Sequence, residues 1–178
     1  MFVAQTGVGK STIAAALGAR GCSIMADDCA VIDIDDGLCR VRPVDVGLRL
    51  RPETLQMFHP RARSLRSRAQ TGARKKRVAA PTLGMKIHGG SEPLRRVYFL
   101  ESVRGARRPT IQPVSRADAV VALMVSSFQL GINESARLRG AFEVLSLLVV
   151  QVPVLRLSIP WGLQHLQAVV DAVLRNAE

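Results

Sequence analysis

Ala4-Gln5-Thr6-Gly7-Val8-Gly9-Lys10-Ser11-Thr12 stands near the start of the chain and decides how the rest is read. It follows the phosphate-cradling pattern G-x-x-x-x-G-K-[ST] at every defined position but the first, where Ala4 replaces glycine. Gly7 and Gly9 permit a tight loop whose N–H groups converge on phosphate oxygens. Lys10 can reach the β- and γ-phosphates, and the Ser11 hydroxyl can take Mg²⁺. Thr6, Val8 and Thr12 complete the expected nucleotide-binding stretch. Apolar Met1-Phe2-Val3 leads in as a short strand, and Ser11 to Arg20 leads out as an Ala-rich helix that stops at Gly21. Phosphate would rest on that helix's positive N-terminus. If the backbone at Ala4 needed a positive φ, its Cβ would cost about 1 kcal/mol. So brief a lead-in strand reads as a truncated start or a missing upstream segment.

The 178 residues and 48% hydrophobic content suit a single domain with a real core, running from residue 1 to 178. No apolar run approaches the length of about 20 residues that a bilayer needs, so no membrane partner is expected. Cys22, Cys29 and Cys39 form neither a C-x-x-C pair nor a disulfide framework, which reads as reduced thiols in a cytoplasmic protein. The net charge of +11 attracts polyanions. Much of it is local: no acidic residue occurs from Thr54 to Ser91, while Arg61, Arg63, Arg66, Arg68, Arg74, Lys75, Lys76 and Arg77 crowd together. Aromatics make up 4% of the chain and none interleaves that cluster, which argues against a base-stacking nucleic-acid surface.

Periodicity and turn chemistry outline an α/β chain. A strand is expected over Cys22 to Met25. A hairpin is expected with strands Ala30 to Ile34 and Leu38 to Val41 around Asp35-Asp36-Gly37. Val46 to Leu50 reads as a strand and Pro52 to Phe58 as a short helix. Arg61 to Arg77 reads as a mobile loop. Strands follow at Val78 to Ala80, Gly84 to Ile87, Arg95 to Leu100 and Thr110 to Pro113, with a turn at His88-Gly89-Gly90-Ser91. Ser115, with Asp118 three residues on, caps a helix to about Phe128. Glu134 to Val150 reads as a helix, Pro153 to Leu157 as a strand, and Trp161 to Arg175 as a terminal helix with Trp161 packed at its start.

Asp27-Asp28 ends the first strand after the loop helix. In a parallel sheet, neighbouring strand ends meet at one edge, which would bring the pair beside bound phosphates. One carboxylate could then hold Mg²⁺ while the other accepts a hydroxyl proton. Asp27, Asp28 and Lys10 are therefore the catalytic candidates, and Ser11, Asp27 and Asp28 the metal-binding ones. Arg49 and Arg51 either face the nucleotide or flank a strand. His59, His88 and His165 make no ligand pattern.

Gly7-Val8-Gly9-Lys10-Ser11-Thr12, Arg20-Gly21, Ala26-Asp27-Asp28 and Ala30-Val31 together resemble the catalytic domain of HPr serine kinase/phosphorylase. They are closer still to the small HPr-kinase-like proteins, including those encoded beside lasso-peptide systems. Gly47-Leu48-Arg49-Leu50, Val97-Tyr98-Phe99-Leu100-Glu101 and Val152-Pro153-Val154-Leu155-Arg156-Leu157 agree with that resemblance. It implies a phosphoenolpyruvate-carboxykinase-like P-loop fold with a mixed sheet and flanking helices. It also implies use of ATP and Mg²⁺, and phosphorylation of serine on a peptide or small protein. Lys75 and Lys76 fall where the smaller relatives also carry lysine, as contacts to phosphate or substrate. The larger enzyme's dephosphorylation signature is missing, so no phosphorylase activity is expected. The alternatives are a non-catalytic nucleotide-binding module and a small-metabolite kinase of the shikimate or gluconate type. A homo-oligomer stays open.

Overall fold

A computed structural model describes residues 1–44, 47–58, 75–127 and 135–177. The readings placed on Val46, His59, the basic run from Arg61 to Arg74, Phe128 and Glu134 lie outside the described residues. The chain is mixed α/β, with a sheet of parallel and antiparallel strands and flanking helices. It divides into two compact units. The first comprises Met1–Val8, Val31–Arg42 and Ser91–Glu178, and the second Gly9–Ala30 and Pro43–Gly90.

The first unit is built on a sheet of β1 (Phe2–Val3), β7 (Val97–Val103), β9 (Val154–Pro160) and β8 (Thr110–Pro113), in the order β1-β7-β9-β8. β1 and β9 run parallel to β7, and β8 runs antiparallel to β9. Val97, Leu100 and Leu157 fill the buried positions of β7 and β9, and Phe2 stacks on Tyr98 at 5.5 Å. The helices are α3 (Arg116–Ser126), α4 (Ser135–Gln151) and α5 (Leu166–Ala177). Ser115 caps α3 as expected, its Oγ accepting the Asp118 N–H at 3.2 Å. α5 buries Val169, Val170 and Val173. A 3₁₀ turn at Leu163–His165 comes first, so the helix starts later than its sequence suggests. Trp161 is 67% exposed and does not pack there: the bend at Gly162, with φ 109°, turns the chain before the helix begins.

The expected hairpin is present. β2 (Val31–Asp35) pairs with β3 (Leu38–Arg42) through Asp36 at φ 49° and Gly37 at φ 73°. Two successive left-handed residues make the turn whose twist suits paired strands, and Asp-Gly supplies them at least cost. A short strand, β6 (Glu92–Pro93), adds to β3.

In the second unit α1 (Lys10–Ala19) packs against β4 (Gly47–Leu50) and α2 (Pro52–Phe58). β4 pairs antiparallel with β5 (Lys76–Ala79). Ala15, Ile24, Leu48, Leu50, Leu55 and Met85 form its core. Two expectations change here. Lys76 and Arg77 belong to β5 rather than to a loop, because Leu50 and Arg49 offer them ladder partners. Cys22 to Met25 and Gly84 to Ile87 are not full strands; they meet in one parallel bridge, Ile24 to Ile87.

Candidate functional site

The phosphate-loop stretch is held by its two glycines. Gly7 sits at φ 97° and Gly9 at φ 118°, a region costly for any residue bearing a Cβ. An added Cβ at Gly7 would meet nothing within 4 Å, so conformation and not space demands glycine there. Among the described residues Asp36 is the one non-glycine with positive φ. Ala4 therefore keeps an ordinary backbone, and the missing first glycine carries no left-handed strain.

Gly9 caps α1, its carbonyl accepting the Ile13 N–H at 2.9 Å. No side chain caps this helix and its first turn holds no acidic residue. The contrast with α3, closed by Ser115, is direct. Gly9 brings no side-chain acceptor to this end of α1, where the helix carries its partial positive charge. Thr6 is exposed, while Val8, Lys10, Ser11 and Thr12 are half-buried.

The segment leading to Asp27 and Asp28 is held in the same unit by backbone hydrogen bonds at Ile24 and Met25. Ile24 N–H donates to the Lys86 carbonyl at 2.8 Å, and His88 N–H donates to the Ile24 carbonyl at 3.0 Å. Val44 N–H donates to the Met25 carbonyl at 2.9 Å. The aspartates then meet Arg49 on β4. The Arg49 backbone N–H donates to Asp27 Oδ2 at 2.7 Å. The Arg49 guanidinium Nη1 donates to Asp28 Oδ2 at 3.1 Å. Arg49 is the residue the sequence left undecided between nucleotide and strand flank; it holds both carboxylates. Its sequence signals were an arginine inside an otherwise apolar strand and its place in Gly47-Leu48-Arg49-Leu50.

Lys10 lies within electrostatic range of Asp27, Asp28 and Lys75. Burial pushes its ammonium below the ordinary lysine range and the neighbouring Lys75 charge adds to that, while the two aspartates pull it back. Lys10 is thus within electrostatic reach of Asp27, Asp28 and Lys75, but not by the parallel-sheet route the sequence suggests. In the four-stranded sheet the neighbour of β1 is β7, not the segment carrying the aspartates. Lys76 sits on β5 opposite Leu50, next in the chain to Lys75.

Among the described residues no three His, Cys, Asp or Glu side chains gather as a preformed metal site. Mg²⁺ retains waters and takes one or two carboxylates together with substrate phosphates, so Ser11, Asp27 and Asp28 are the oxygen donors that could hold nucleotide-borne Mg²⁺. No helix of the described residues is long and apolar enough to cross a membrane. No family model, curated protein or solved structure matches this chain.

Proposed function

We propose that this chain is an ATP-dependent kinase that transfers the γ-phosphate to a serine hydroxyl of a peptide or small protein. In this reading it has a phosphoenolpyruvate-carboxykinase-like P-loop fold and belongs with the small HPr-kinase-like proteins. What supports the reading is the pair of Arg49 contacts that holds Asp27 and Asp28 together in the unit where α1 opens at the left-handed Gly9, with Lys10 within electrostatic reach of both carboxylates.

The roles follow from charge. Lys10 and the first-turn N–H groups of α1 hold the β- and γ-phosphates, with Lys75 and Lys76 beside them or against the acceptor. Ser11 and one aspartate hold Mg²⁺, which neutralises charge on the phosphate oxygens. The other aspartate takes the proton of the serine hydroxyl as its oxygen bonds to the γ-phosphorus and ADP leaves with the breaking P–O bond. An acidic acceptor would be drawn by the net positive charge of the chain.

The ordinary backbone at Ala4 removes one of the reasons for reading the chain as a non-catalytic nucleotide-binding module. Calorimetry with ATP and Mg²⁺ on wild type and Lys10→Ala tests the reading. Lys10→Ala should bind at least tenfold more weakly, the loss of about one charge-assisted hydrogen bond. Equal affinities would reject the assignment of the loop.

A further inference from the structure

Arg49 touches both candidate catalytic carboxylates through two different parts of itself, and the two contacts have different fates. The bond to Asp27 comes from the backbone N–H of a residue inside the β4–β5 ladder, where Arg49 pairs with Arg77. It is a fixed feature of the strand and does not depend on the side chain. The bond to Asp28 comes from the guanidinium. There the arginine side chain is 53% exposed and the aspartate 60% exposed. An ion pair this open to water is worth little, about 0–1 kcal/mol. A divalent cation arriving at Asp28 can therefore displace the guanidinium at small cost.

Lys10 feels the charges of Lys75, Asp27 and Asp28. Without ligand, the guanidinium shares the Asp28 charge with Lys10. With nucleotide present, the region gains phosphate charge, and planar guanidinium groups bind phosphate with two donors at once.

Resting on the nucleotide reading above, we propose that Arg49 is a phosphate-binding residue parked on Asp28 until Mg²⁺ arrives. Asp28 gives up the guanidinium when it turns to the metal, and Arg49 moves its freed donors to a phosphate oxygen. Asp27 stays on the Arg49 N–H throughout. This separates the two aspartates: Asp28 is the metal-side carboxylate that changes partner, and Asp27 is the strand-anchored one left to accept the proton. The exchange needs no movement of β4, only a side-chain rotation.

The inference makes the contribution of Arg49 depend on metal. Titrating ATP by calorimetry into wild type, Arg49→Ala, Asp28→Asn and the double variant, each with Mg²⁺ and with EDTA, reads it directly. With Mg²⁺, Arg49→Ala should weaken ATP binding about tenfold or more, as for loss of a charged hydrogen bond. With EDTA, it should change affinity less than about twofold, because the pair with Asp28 persists. Asp28→Asn should tighten metal-free binding, and the double variant should lose that gain. Arginine Nε resonances of the nucleotide-free protein, followed by NMR, should shift for Arg49 on adding ATP with Mg²⁺ but not ATP with EDTA. Amide resonances across β4 and β5 that match wild type show that Arg49→Ala is folded. Equal losses for Arg49→Ala in both conditions, or none in either, would overturn the exchange while leaving nucleotide binding standing. Wild type that binds no ATP under either condition would overturn the nucleotide reading and the exchange together.

Discussion

Replacing Asp27 separates what this residue holds from what it does. Its Oδ2 accepts the Arg49 N–H at 2.7 Å, a bond joining positions 22 apart in the chain. A hydrogen bond to a charged acceptor contributes about 1.5–3 kcal/mol. This one is exposed, so the lower end applies, about 1.5 kcal/mol or tenfold in a local opening equilibrium. Asp27→Ala removes the acceptor and should speed hydrogen exchange of the Arg49 amide about tenfold. Asp27→Asn keeps a carbonyl oxygen and a neutral hydrogen bond of about 0.5–1.5 kcal/mol, so its exchange should fall between wild type and Asp27→Ala. Phosphoryl transfer should behave differently. Without a carboxylate to take the proton, both variants should lose about 10²–10⁴-fold in turnover, while ATP binding survives. Exchange of the Arg49 amide by NMR, alongside ATP turnover, measures both effects on the same samples. A fully active Asp27→Asn would refute the proton-acceptor role. An Arg49 amide unchanged in Asp27→Ala would refute the anchoring argument.

Further outcomes follow from packing and burial. At Gly18, on α1, an added Cβ would lie 2.9 Å from Met85 Sδ and 3.3 Å from Ile24 Cδ1. Gly18→Val should therefore destabilise by about 1–3 kcal/mol through overpacking, and Met85→Ala in the same chain should return part of it, measured by urea unfolding. Burial raises the Cys39 thiol above the ordinary cysteine range, so its thiolate fraction at neutral pH falls, whereas Cys29 is exposed. A thiol-labelling time course should modify Cys29 first and Cys39 only on unfolding.

What the sequence determined alone is local. The loop glycines, the span of α1, the Asp36-Gly37 turn, the span of α2 and the Ser115 cap depend on backbone preferences or periodicities contained within a few residues. Such features carry their cause beside them, so they can be read from order alone. Everything that required distant segments to meet was decided by the tertiary structure. Ile24 and Ile87 pair as a bridge and not as a strand, and Lys76 and Arg77 join β5 because β4 offers them partners. β6 forms because β3 has an open edge. Asp27 and Asp28 were visible as a pair, but the residue holding them was not. Arg49 reaches them only once β4 is laid against the chain that follows α1. No spacing rule encodes that meeting, since the free energy that closes it comes from burying Leu48 and Leu50 on either side of Arg49.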